Sequence, residues 1–251
     1  MIVSNPYIGG GGGGSPSIYP LSNIISEWKM QDNVLDTVGS NNGTATAITY
    51  ATGGVGKLAQ FNGATSKINI SDSSDFTFGD GTGNDLPFST SCLISFDNNS
   101  NRSRFLNKRG GGVATENEWD VIYRQSSGID FTFYSQKAQS VFVSRRVAFT
   151  PTNGVLYHVV CTSDGSGTIG GSKIYINGVE FTDTVLNNTN GVYVGMSNST
   201  SPLSIGVLEY TSNLNFHAGD IDVVRVWNKE LTQTETTNIS TAELAGTDIN
   251  P

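Results

Sequence analysis

The sequence predicts an all-β protein made of two packed antiparallel sheets, with an extended N-terminal arm and a short C-terminal helix. Three observations carry this reading. Apolar residues alternate with period two in many short segments, and helical periodicity is nearly absent. Charged residues are only 14%, and Gly, Ser, Thr and Asn fill much of the rest, a mixture that suits strands and turns better than long helices. The strand candidates follow one another through turn-rich clusters with no βαβ rhythm, which argues for two stacked sheets rather than a parallel one.

The chain opens "MIVSNPYIGGGGGGSPSIYP", with an unbroken glycine run from Gly9 to Gly14. Glycine loses the most backbone entropy on ordering, so this composition reads as a tether. Residues 1–20 are therefore expected to form an anchoring arm, with Tyr7, Ile8, Ile18 and Tyr19 as its partner-binding anchors. No Lys or Arg precedes Lys29 and no apolar h-region follows, so an export signal is not expected. One domain is expected over 21–240, with 241–251 as a tail.

Within that domain the strand candidates are "KINI", "TSCLISF", "WDVIYR", "IDFTFYS", "LYHVVCTS", "KIYINGVEF", "GVYVGM", "PLSIGV" and "GDIDVVRVW". Asn177-Gly178 sits between alternating apolar residues, a strong hairpin signal because both turn positions need positive φ. Thr232 with Glu235 three residues on is a capping box, which starts the one helix. Cys92 and Cys161 lie inside apolar runs and read as buried thiols, with a disulfide between neighbouring strands as the alternative.

The charge balance narrows the function. Net charge is −8, and Arg102, Arg104, Lys108 and Arg109 form the one basic run, read as a solvated loop; nucleic acid is not an expected partner. No apolar stretch approaches the length of a membrane span, so membrane insertion is not expected either. In an extended "ENEWDVIYR", Glu116, Glu118 and Asp120 share a face while Trp119, Val121 and Tyr123 point into the core. Carboxylates on alternate residues could do acid–base work, but Glu116 and Glu118 read rather as a solvated loop entering the strand. Neither His158 nor His217 sits beside a nucleophile elbow, and "KRGGGVA" lacks the Lys-Ser/Thr of a phosphate loop. The groove side of the two central strands would show Asp120, Arg124, Asp130, Thr132 and Tyr134. Planar polar groups beside an aromatic ring suit a carbohydrate, and Asp120, Arg124, Asp130 and Tyr134 are the expected sugar contacts.

Four stretches in order, "EWKMQDNVLDTVGSNNGTA", "GVGKLAQFNGATSKINI", "LYHVVCTSDG" with "SKIYINGVEF", and "FHAGDIDVVRVWNKELTQTE", resemble the laminin G-like branch of the concanavalin A-like lectin/glucanase superfamily. The resemblance covers roughly Ile24 to Ile239 and implies a jelly-roll sandwich. It also implies a structural Ca²⁺ held by Asp222, with Asp36 contributing. The superfamily's enzymes carry Glu-x-Asp-x-x-Glu, whereas this chain reads Glu-x-Glu-x-Asp, so no catalytic residue is assigned and no enzyme is expected. A lectin-like domain without an export signal points to a bacteriophage particle. The expected role is a virion structural or adhesion protein (capsid decoration, fibre or tail). It would bind other virion proteins through its arm, form a homo-oligomer or lattice, and take a host glycan as ligand. The alternatives are a bacterial surface carbohydrate-binding module and, third, a polysaccharide hydrolase.

Overall fold

The structure of the protein, a computed structural model, describes residues 18–110, 116–135, 141–182, 184–209 and 214–251, and of 184–190 the backbone course only. The first part of the chain supplies β1 (Ile24–Trp28), β2 (Gly43–Thr46), β3 (Thr49–Thr52), β4 (Lys57–Asn62) and β5 (Lys67–Ile70). The middle supplies β6 (Phe88–Ile94), β7 (Ser103–Arg109), β8 (Asn117–Arg124), β9 (Gly128–Tyr134) and β10 (Phe142–Val147). Then come β11 (Tyr157–Ser163), β12 (Ser172–Ile176), β13 (Val179–Glu180), β14 (Thr184–Asn190), β15 (Leu203–Ile205), β16 (Ala218–Trp227) and the helix α1 (Gln233–Leu244).

These strands form two antiparallel sheets. The first runs β13-β12-β11-β6-β16-β4-β3, with β1 added alongside β16. The second runs β14-β10-β9-β8-β7-β15-β5-β2. Alternation sends Trp119, Val121, Tyr123, Phe131 and Phe133 from the second sheet into one buried layer with Cys92, Ile94, Val159 and Ile174 from the first. Phe88 anchors that layer. Its ring stacks on Phe78 at 4.0 Å and meets Phe131 and Phe133 edge-on, each such pair worth about 0.5–1.5 kcal/mol beyond burial. In β16 the register shifts between Asp222 and Arg225, so Ile221 and Val224, which plain alternation would separate, both reach the core.

The hairpin over Asn177-Gly178 forms as expected, with φ of 53° and 79°, and joins β12 to β13. The Thr232–Glu235 capping box is present and starts α1. "GVYVGM" is not a strand; the chain pairs just before it, as β14 against β10.

The outer face of the first sheet is covered. Val160, Tyr175 and Trp227 project from it and pack with Leu231, Ile239 of α1 and Ile249, and Tyr19 and Leu21 lean on the same cluster. The segment after α1, expected to be a tail, is thus part of the domain. Asp248 pairs with Lys29 at 2.7 Å, and fully buried Arg225 binds Glu27 and, from α1, Glu243. Tyr19, expected to anchor a partner, packs instead on its own sandwich, while Ile18 is exposed. Tyr7 and Ile8 lie outside the described residues. The opposite outer face, on the second sheet, is where polar side chains gather.

Candidate functional site

On β8 and β9 the residues between the core positions turn outward, as alternation requires: Asp120 and Arg124, then Asp130, Thr132 and Tyr134. Cross-strand register aligns Asp120 with Thr132, and Thr132 with Ser144 of β10. It also sets Asp130 beside Arg146 and Tyr134 beside Phe142. β7 completes the floor with Arg104 and Arg109. These two are an odd number of residues apart, yet both reach Asp120. Register shifts at 104/106 and 108/109 re-aim the side chains, which an unbroken strand would send to opposite faces.

The result is an open cavity of about 290 Å³, rimmed by Arg102 and Arg124 and walled by Tyr134 and Phe142. Arg104, Arg109, Thr132, Ser144 and Arg146 supply the remaining polar lining along with Asp130. Asp120 lies under Arg104 and Arg109, each donating through Nη1 to its Oδ2, with the Tyr134 hydroxyl 3.2 Å away. Burial alone would raise the Asp120 carboxyl, but the two guanidinium groups outweigh it and hold the carboxyl well below the usual range. Arg109 also sits over the Tyr134 ring at 4.7 Å, a cation–π contact. Asp130 binds Arg124 and Arg146 in the same manner, the latter through Nε and, at 2.7 Å, Nη2. The Asp130 hydrogen bond raises the Arg146 pKa.

Both carboxylates are therefore buried braces. They neutralise the arginines well enough to let them line a cavity, and guanidinium is the accessible chemistry. Arg124, Asp130 and Tyr134, all expected at the site, line the cavity, and Asp130 holds two of its arginines from within that lining; Asp120 positions two more from below. Of the basic run read as a solvated loop, Arg102 is exposed before the strand, but the other three residues lie in β7. Its Arg104, Lys108 and Arg109 are buried because carboxylates from β8 meet them. Arg146 and Phe142 were not read as site residues at all.

The acid–base row does not face this cavity as a pair. Glu118 is fully buried, ion-paired with Lys108 and accepting from Ser199 N at 2.7 Å, and burial raises its carboxyl. Glu116 accepts from Thr200 N at 3.4 Å. His158 bonds Ser240 Oγ at 2.6 Å and lies 3.1 Å from Glu243, a triad-like set. All three are buried, and burial holds the imidazole down at about 3, which marks a structural role beneath α1. His217 packs edge-on against Phe61 and Phe96 and bonds Ser103. Cys92 and Cys161 are free and buried on neighbouring strands, with burial pushing Cys92 up to about 12.

The donor sets of Asp36 and Asp222 do not fit a calcium ion. Asp36 accepts the backbone N–H groups of Glu27, Val38, Gly39 and Asn41 at 2.9–3.1 Å, which uses its lone pairs on donors a cation would have to displace. Asp222 accepts from Val55 N at 2.6 Å and Val223 N at 2.7 Å, and burial pushes its carboxyl up to about 7. Among the described residues no three His, Cys, Asp or Glu converge as metal ligands.

Two eight-stranded antiparallel sheets with an open polar cavity on one face define a lectin-type β-sandwich. The Laminin_G_3 model, described as concanavalin A-like lectin/glucanases superfamily, matches residues 62–237, and the chain belongs to that family. Among solved structures it is similar to domain 4 of AbnA, a GH43 extracellular arabinanase from Geobacillus stearothermophilus, in complex with arabinotriose. The TM-score there is 0.62 at 20% identity, over 87% of this chain and 98% of that one. The binding domain of Paraclostridial Mosquitocidal Protein 1 superposes with TM-score 0.64 at 14% identity, covering 87% of this chain and 52% of that one. A botulinum neurotoxin type C structure, whose cell entry is described as dependent on interaction with two ganglioside molecules, gives 0.63 and 14%, over 88% and 51%. This chain thus spans about half the length of those two toxin chains. No curated protein matches the chain. No helix among the described residues is long and apolar enough to cross a membrane.

Proposed function

We propose that this protein is a non-catalytic attachment module that holds a saccharide in the cavity on the outer face of its second sheet. The observation that carries the reading is the combination at that one place of fixed guanidinium donors with the Tyr134–Phe142 wall, whose ring centroids lie 6.1 Å apart. Sugars are recognised in this way, with a few oriented hydrogen bonds over an apolar platform. At about 290 Å³ the cavity sits at the small end of ligand sites, which run from about 300 Å³ upward, and suits a terminal sugar. The sugar ligand of the arabinanase domain supports this class of ligand. The burial of Glu118 and Asp120 in ion pairs supports a binding role over a hydrolytic one, since neither carboxylate is placed to protonate a glycosidic oxygen.

The setting we propose is a bacteriophage particle, with the arm ahead of Tyr19 as the tether to other virion proteins and the sandwich turned to the host surface. Glycan-array binding by the full chain, abolished by Phe142→Ala with the fold intact by circular dichroism, tests the site. Binding unchanged in that variant would move the saccharide elsewhere. Mass spectrometry of purified particles tests the setting; absence from particles with presence at a bacterial surface would favour a surface carbohydrate-binding module.

A further inference from the structure

We propose that the saccharide is acidic, with its anionic group seated among the arginines and the neutral remainder running past Arg102 into the adjoining depression. This deepens the glycan-binding reading and rests on it. The first argument is charge. Arg102, Arg104, Arg109, Arg124 and Arg146 all line the cavity, and two carboxylates, Asp120 and Asp130, brace four of them. Arg102 is exposed at the rim and has no ion-pair partner among the described residues. The chain as a whole carries −8, so this local excess of positive charge runs against its average.

The second argument is an unused donor at the floor. Arg104 lines the cavity with a side chain 5% exposed, and its Nε has no acceptor among the described residues. Buried polar atoms are almost always paired, so an unanswered donor on a lining guanidinium favours an added acceptor beside it. A sugar acid offers an anionic oxygen to that guanidinium. A neutral sugar leaves the excess charge unanswered. An inorganic anion leaves the aromatic wall unused.

The third argument is continuity. Arg102 also lines a second depression of about 410 Å³, whose remaining lining includes Asn101, Gln125, Asn215 and Phe216. Among the described residues no other ionisable side chain lines it, and amides beside one aromatic ring fit an uncharged sugar.

The test is binding of the full chain to oligosaccharide pairs that differ only in the acid group. One pair is a uronic-acid oligosaccharide and its carboxyl-reduced twin; the other is a sulfated oligosaccharide and its desulfated twin. An acidic member should bind about tenfold or more tightly than its twin, as a charge-assisted hydrogen bond would give, and the advantage should shrink as salt rises. Arg102→Gln, at an exposed position, should cut that advantage about threefold or more without moving the melting temperature. The two pairs reveal which anion is preferred. Equal binding within both pairs, or preference for the neutral twins, overturns the acidic ligand and leaves glycan binding standing. Binding to none of the four overturns both.

Discussion

Replacing Asp120 by asparagine removes the anion under two arginines and keeps the shape of the side chain. In the native protein this carboxylate is 1% exposed and answers Arg104 and Arg109, whose side chains are 5% and 6% exposed. Without it two like charges are left facing each other out of water. Breaking a buried pair from one side costs about 3–5 kcal/mol. A domain of this size loses about 2–4 °C of melting temperature per kcal/mol, so the variant should melt about 6–20 °C lower at neutral pH. The pH dependence has a definite sign. The folded carboxyl is held below its unfolded value of 3.8, so its stabilisation is present above that value and fades as pH falls through the lower folded one. The gap between wild type and variant should therefore narrow in acid. Sulfate should raise the variant's melting temperature more than the wild type's, because an added anion can take the vacated place and binds the folded state alone. Thermal melts followed by circular dichroism across pH, with and without sulfate, read all three effects. A fall of less than about 2 °C at neutral pH, with equal sulfate response in both proteins, would refute the bracing role of Asp120.

Asp222 gives the opposite pH signature. Its carboxyl is pushed up from 3.8 to about 7, so the folded state retains a proton that the unfolded chain releases. That stabilisation is complete below 3.8 and is lost as pH rises through about 7, and Asp222→Asn should flatten the stability–pH profile across this window in denaturant titrations. Gly54 has φ of +55°, and a Cβ there would lie 2.3 Å from Asp222 Oδ2, so Gly54→Ala should cost about 1–3 kcal/mol, measured by the same titrations.

Much of the fold was legible because burial on one sheet face writes itself locally. "WDVIYR" and "IDFTFYS" alternate so cleanly that the inward set (Trp119, Val121, Phe131, Phe133) and the outward set (Asp120, Arg124, Asp130, Tyr134) both follow from the sequence alone. β7 was not legible for a physical reason. Arg104, Lys108 and Arg109 are buried only because Asp120 and Glu118 arrive from the next strand, and no local pattern announces a neutralising partner. Phe105 and Leu106 in the middle of the run were the available signal, and two register shifts blurred their period. β10 hid in the same way, with Arg145 and Arg146 adjacent in a short strand. The segment after α1 looked like a tail because its one apolar anchor, Ile249, stands alone in sequence and finds company only in three dimensions.

The covering of one sheet by α1 and the last residues gives the sandwich a back and a front. Tyr19, where the described chain enters, and Ile249, near where it leaves, meet in the same cluster on the back. The arginine cavity opens on the other side. A load applied through either end would therefore be borne by the capped sheet, with the binding face turned outward like the face of a stamp held by its handle. Any carrier gripping the domain by its ends would set many copies with their cavities facing one way, so weak single contacts with a dense glycan coat would add along the surface.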